Sequence, residues 1–175
     1  SKMEEEIIYV VNEKDQFVRK TKRKEAMEKG LLHRHARVII VNKDEKLLVQ
    51  KRSLSKDKYP GYWDVGVAGT VKVGDSYEST AMHELYEEVG ITGISNIQLM
   101  RSLLFKFAFH SPEYNVLCKA YKIQYDGKLK LQEEEVDEAK YMLIEEIKNI
   151  IEKEPFHPVG KIVFEKYLET KNKIQ

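Results

Sequence analysis

The stretch from Gly69 to Ile91, GTVKVGDSYESTAMHELYEEVGI, constrains the fold of this chain more than any other. A glycine and a short loop lead into helical periodicity. At about 100° per residue, Tyr77, Ala81, Met82, Leu85 and Val89 fall on one side. Glu84, Glu87 and Glu88 occupy an arc of about 100° beside that stripe, because positions i, i+3 and i+4 share a face. Such a helix buries its apolar side while holding three carboxylates along the edge of the buried surface. Asp75 or Ser76 is the expected N-cap, with Glu78 completing a capping box.

The placement carries an energetic objection. Like charges at i,i+4 destabilise a helix by roughly 0.2–0.5 kcal/mol per pair, and the last helical turn disfavours anions. A solvated acidic face is a common arrangement, but it does not explain a glycine, a loop of this length and this triad together. A hard divalent cation does. Mg²⁺ prefers carboxylate oxygens, keeps several waters and bridges to substrate phosphates.

The rest of the chain reads as strands with helices dispersed among them. IIYVVN and FVRK form a hairpin across NEKDQ, and KRKEAMEKG is a short helix stopped by Gly30. ARVIIVN, KLLVQKR, WDVGVAG and TVKV read as strands. SLLFKFAF and YNVLCKAYKIQY read as a long antiparallel pair, Asp126-Gly127 as a hairpin signal, and AKYMLI as a last strand. EEIKNIIEK and GKIVFEKYLETK carry apolar residues at helical spacing. The expected architecture is α+β, an α/β/α sandwich with a mixed sheet and an N-terminal β-hairpin extension. With 175 residues, one domain is expected over 1–175. Its parts are a hairpin and short helix at 1–32, a core at 33–150 and a C-terminal helix at 151–175.

The partners are bounded by charge and cysteine. A net charge of +1 favours no nucleic-acid partner without a local basic patch. No apolar run approaches the roughly 20 residues of a membrane span. A single cysteine, Cys118, rules out a disulfide within the chain, reads as a small buried hydrophobe and fits a cytoplasmic protein. Lys51, Arg52, Lys56 and Lys58 make the approach to the acidic helix basic and suit substrate phosphates, or serve as a solubilising loop. Trp63 reads as core packing in preference to base stacking. The hairpin at residues 7–20 offers an edge through which a homodimer can pair.

The residues from Gly69 to Ile91 resemble the Nudix box. Gly69, Glu84, Leu85, Glu87, Glu88, Gly90 and Ile91 match it in register. Asp75 stands where that family has Glu, and His83 where it has Arg; in the family these two pair and hold the helix against its loop. The flanks KLLVQKRS, PGYWDVGVAG and EEEVDEAKYM follow in the family's order, so the resemblance spans roughly residues 33–150. It implies a metal-dependent hydrolase that cleaves the diphosphate of a nucleoside diphosphate linked to another group, or of a related organic diphosphate. By the same resemblance Glu84, Glu87, Glu88 and the carbonyl of Gly69 bind Mg²⁺ or Mn²⁺. One of the glutamates, or one outside the box, activates water. Glu133, Glu134 and Glu135 offer the outside carboxylate, with Glu134 or Glu135 preferred.

The stretch LLHRHARVIIVNKDEKLLVQKRSLSKDKYPGYWDVGVAG also resembles the isopentenyl diphosphate isomerase branch of the same superfamily. That branch needs a cysteine just before the box glycine and a histidine just after it, where this chain has Ala68 and Thr70. Its second acid is missing near Tyr114 and Asn115. His33 aligns with one of its metal histidines, though a lone histidine beside a strand is more often structural. The residues therefore favour hydrolase over isomerase. A non-catalytic diphosphate-binding module is the third reading, motivated by Asp75 and His83.

Overall fold

Strand β3 (His33–Val41) organises the molecule, because its two faces serve two different cores. In the computed structural model, which describes residues 5–112 and 114–174, β3 pairs with four other strands. Before it come β1 (Ile7–Val11), β2 (Phe17–Lys22) and α1 (Arg23–Lys29). After it come β4 (Leu47–Arg52), β5 (Trp63–Val65), β6 (Val67–Thr70), α2 (Tyr77–Val89) and α3 (Asn96–Arg101). The chain ends with β7 (Leu103–Phe109), β8 (Val116–Gln124), β9 (Val136–Met142), α4 (Ile144–Lys153) and α5 (Pro158–Ile174). β3 and β8 run parallel along the whole of β3, from His33 opposite Val116 to Val41 opposite Gln124. The other strand pairs are antiparallel, so the sheet is mixed.

Alternation along β3 assigns the layers. Ala36, Val38 and Ile40 face α2 and α3 in a core with Tyr77, Ala81, Leu85, Val89 and Leu99. Ile39 and Val41 face α1, α4 and α5 in a core with Met27, Ile147, Val163, Phe164 and Tyr167. This is the expected α/β/α sandwich, and α5 shares the core of the central strands. No helix among the described residues is long and apolar enough to cross a membrane.

The N-terminal hairpin is stitched to the loop before α2. Asp15 in its turn accepts hydrogen bonds from Arg34 Nε at 2.7 Å and from the Tyr77 hydroxyl at 3.0 Å, and Gly74 N donates to the Tyr9 hydroxyl at 2.8 Å. β2 is a sheet edge that carries Arg19, Lys20 and Lys22, charges that discourage edge-to-edge pairing.

Three local expectations are corrected. Asp126-Gly127 closes no hairpin, because the following chain crosses to the end of α2, where Lys130 N donates to Val89 O at 2.9 Å. The Asp126 carboxylate instead accepts from Lys43 N. Of TVKV only Thr70 belongs to a strand, with Lys72 making an isolated bridge to Ile8. WDVGVAG is two strands broken at Gly66, whose φ of 64° and close approach to Val38 O, 1.9 Å from a would-be Cβ, admit only glycine.

Candidate active site

Ser76, and not Asp75, caps α2. Its hydroxyl accepts from Ser79 N, and the Ser79 hydroxyl accepts from Ser76 N, so the capping box closes on Ser79 in place of Glu78. Glu78 instead receives the hydroxyl of Tyr121 from β8. At the other end Gly90 takes the left-handed conformation, with φ of 74°, and its N–H reaches Leu85 O and Tyr86 O. Between these caps the helix holds its glutamates at three depths.

Glu88 is only 2% exposed. Its carboxylate accepts from Gln50 Nε2 at 2.7 Å and from Ala68 N at 3.2 Å, so β4 and β6 both orient it. Glu84 lies under Gly69, where a Cβ would come within 2.4 Å of its carboxyl oxygen. That contact is a physical reason for glycine at this position. Burial raises the Glu84 carboxyl well above the usual range, and Glu88 and Glu87 reinforce the shift while Lys56 opposes it. Burial also raises Glu88, against the hydrogen bond from Glu84 and the charge of Lys56. Glu87 is exposed at the mouth. Asp75 and His83 approach to 4.0 Å between Oδ1 and Nδ1, and His83 is largely exposed.

A cleft of about 750 Å³ opens beside this group. Gly69, Glu84, Glu87, Arg52, Lys56, Lys58, Glu134 and Glu135 all line it. Lys56 is ion-paired with Glu135, and the Ser55 hydroxyl donates to Glu134 O at 3.1 Å, so the loop after β4 is tied to the acidic turn before β9. Arg52 holds that loop from within, donating to Lys58 O at 2.8 Å and to Tyr59 O at 3.2 Å. Three sequence expectations fall outside the cleft lining. Lys51 stacks its ammonium 5.9 Å from the Trp63 ring, Glu133 is exposed on the turn, and Glu88 is buried against β4 and β6.

The far end of the cleft was not anticipated. His33, His35 and Arg37 alternate on the same face of β3, beyond the apolar run VIIV. His35 bonds the Thr70 hydroxyl at 3.0 Å and the Tyr114 hydroxyl at 3.0 Å. Arg37 makes a buried pair with Asp64 at 2.9 Å, and its Nη2 lies 3.4 Å from His157 Nδ1. That Nδ1 accepts Val159 N at 3.1 Å, capping α5. Gly160 makes room, since a Cβ there would sit 2.0 Å from Asp64 Oδ1. The alternation in HRHAR was the available signal; Asp64 and His157 had none. Met27 and Arg23 from α1, and Glu6, close this end. His33 is buried with Nδ1 on Leu31 O at 2.8 Å, and Cys118 is a buried thiol pushed up to about 12 by burial.

The Arg37–Asp64 pair supports a direct test. Arg37→Met leaves a buried carboxylate without its cation and should lower stability by about 3–5 kcal/mol in denaturant titration. Arg37→Met with Asp64→Leu should recover most of that loss, since a well-packed apolar pair can replace a buried ion pair.

Among the described residues no three His, Cys, Asp or Glu side chains are drawn together closely enough to cage an ion as they stand. The donor set nevertheless fits a hard divalent ion: a buried carboxylate, Glu88, a half-buried one beside it, Glu84, a third at the mouth, and a glycine whose missing Cβ leaves room over Glu84.

The NUDIX domain family matches residues 31–165. An uncharacterized Nudix hydrolase of Pseudomonas aeruginosa is 36% identical over 137 residues, covering 78% of each chain. One of Listeria innocua is 32% identical over 151 residues, covering 85% of this chain and 86% of the relative. The crystal structure of a Deinococcus radiodurans protein superposes with a TM-score of 0.71 at 21% identity, covering 90% of this chain and 97% of that one. The NUDIX domain of Shewanella oneidensis NrtR, in complex with ADP ribose, gives 0.59 at 16% identity, covering 79% and 86%. These two structures share the fold.

Proposed function

The chain belongs to the Nudix domain family, and from that premise we propose that it is a hydrolase dependent on Mg²⁺ or Mn²⁺ that cleaves the diphosphate of a nucleoside diphosphate linked to another group, or of a related organic diphosphate. Enzymes of this family generally cleave such compounds and generally use divalent ions. The observation that carries the reading is Glu84 packed under Gly69, with Glu88 held by Gln50 and Ala68 N, at the edge of a cleft that also holds Lys56, Lys58, Glu134 and Glu135.

Glu84, Glu87, Glu88 and the Gly69 carbonyl would hold the ion. When bound, it supplies Lewis acidity toward the phosphoryl oxygens and offsets their charge. Gln50 and Ala68 N fix the outer oxygens of Glu88, so its orientation is set before substrate arrives. Lys58 lines the cleft with no ion pair among the described residues and is available to a phosphate. Arg52 positions the loop that carries it. Glu135 is engaged by Lys56, whereas the Glu134 carboxylate has no partner among the described residues, so Glu134 is our choice for the group that takes the proton from the attacking water. His35, Thr70 and Tyr114 at the far end suit a hydrogen-bonding substituent such as a sugar in preference to an apolar chain.

Ala68 has no proton to transfer, which sets this chain apart from the isomerase it resembles in its flanks. A substrate panel tests the reading. ADP-ribose, dinucleoside polyphosphates and isopentenyl diphosphate are each incubated with Mg²⁺ or Mn²⁺, and the phosphorylated products, separated by chromatography, and uptake of solvent deuterium are followed. Cleavage of a nucleoside diphosphate compound into a nucleoside monophosphate and a second phosphorylated product, abolished by a chelator, is expected. Deuterium uptake into isopentenyl diphosphate would replace the hydrolase reading with the isomerase, and binding without turnover would leave a binding module.

A further inference from the structure

Most cations lining the cleft are already committed. Arg37 is spent on Asp64, Arg23 pairs with Glu6 at 3.0 Å, Lys72 lies 3.6 Å from the same carboxylate, and Arg52 is held by backbone carbonyls. Lys56 stands apart from these because it serves two acidic groups at once. It pairs with Glu135, which comes from the turn before β9. It also lines the same cleft as Glu84 and Glu87, and from there its charge opposes the rise that burial imposes on Glu84 and Glu88.

Its backbone is fixed for this task. Lys56 N donates to Ser53 O at 3.2 Å, Ser53 N donates to Glu135 O at 3.1 Å, and the Ser53 and Ser55 hydroxyls bond each other at 2.9 Å. The loop is thus pinned to the acidic turn on one side and closed by Arg52 on the other. The side chain emerges into the cleft at one quarter exposure.

We propose that Lys56 is the built-in counter-ion of the acidic site: its ammonium competes with the divalent cation for the box carboxylates and, once displaced, pairs with a substrate phosphate. This rests on the assignment of Glu84, Glu87 and Glu88 as ion ligands. The physical content is charge bookkeeping within one small volume. An ammonium and a divalent ion sharing the same carboxylates repel each other, so Lys56 lowers ion affinity while no phosphate is present. A phosphate brings the anionic charge that lets both cations stay.

The distinguishing signature is a pair of effects of opposite sign. Mn²⁺ binding is measured by the paramagnetic resonance of the free ion, in wild type, Lys56→Met, Lys56→Arg and Lys51→Met. Binding of methylenediphosphonate, which is not hydrolysed at its bridge, is then measured by calorimetry on the Mn²⁺-saturated proteins. Lys56→Met should bind Mn²⁺ roughly tenfold more tightly and methylenediphosphonate roughly tenfold more weakly. Lys56→Arg should behave as wild type in both. Lys51→Met carries the same charge change outside the cleft and should shift Mn²⁺ affinity less than about twofold. If Lys56→Met weakens both ligands, or leaves Mn²⁺ affinity unchanged, Lys56 is a loop anchor only and the proposal is overturned while the ion site stands. If no variant and no wild-type protein binds Mn²⁺, the ion site itself is overturned, and the proposal with it.

Discussion

Replacing Glu87 with glutamine is expected to lower kcat by roughly a hundred- to a thousandfold, with no loss of folded structure. The side chain is exposed at the mouth of the cleft and supports no packing, so the substitution removes an anionic oxygen and little else. Glu84→Gln should reduce turnover by a similar factor but act differently on stability. In the folded chain the Glu84 carboxyl is raised by burial and by its neighbours. A group raised on folding contributes stability at low pH and loses it as pH rises through the folded value. In the chelated protein at pH 8, neutral glutamine should therefore leave the thermal midpoint unchanged or higher. Near-normal turnover in both variants would remove the carboxylates from the chemistry.

The second large effect is acid lability. Three buried histidines are held neutral, chiefly by burial: His33 is lowered to about 4, His157 to about 3, and His35 well below the usual value. The sign is the reverse of the Glu84 case. A depressed group contributes stability above its unfolded value, near 6.5, and loses it as pH falls toward the folded one. Each histidine that must take up a proton on unfolding adds a slope of about 1.4 kcal/mol per pH unit. Between pH 6 and pH 4.5 the chain should therefore lose stability steeply, against a smaller opposing gain from Glu84 and Glu88. Urea titrations at several pH values measure the slope. His157→Asn should reduce it by about 1.4 kcal/mol per pH unit, whatever it does to stability at pH 8. An unchanged slope would mean that the imidazole already titrates in the folded state.

The parts of this protein legible in sequence are those governed by local rules. The acidic helix, its glycine stop and the paired strands follow from periodicity and turn chemistry, and Glu84, Glu87 and Glu88 converge on one edge of α2 because helical geometry requires it. What escaped depended on distant partners. Asp126-Gly127 carries a hairpin signal, but the carbonyls at the end of α2 compete for the following backbone. Glu78 stands at the usual capping-box spacing from Asp75, yet Ser76 is the cap, Ser79 closes the box and Tyr121 takes Glu78. Lys51 and Lys56 lie in the same basic run. Strand alternation and the Trp63 ring carry one away from the cleft, while a pinned loop turns the other into it. The network of Arg37, Asp64 and His157 joins three elements far apart in sequence, and no spacing rule links them.

The parallel ladder between β3 and β8 bears on how the chain reaches this state. Each residue of β3 pairs with one about 80 positions later, and α2 with all its glutamates lies in the span between. Closing so long a loop is entropically unfavourable and comes late, because non-local pairing is rewarded only once both strands are in place. On the ribosome the acidic helix emerges well before β8, which supplies Tyr121 to the core beneath it. Until that core forms, the carboxylates share a helix edge that faces water. Their proximity is set by the helix itself, but the burial that raises Glu84 and Glu88 comes only when the sheet and α2 pack together, so the cost of burying neighbouring carboxylates falls late in folding.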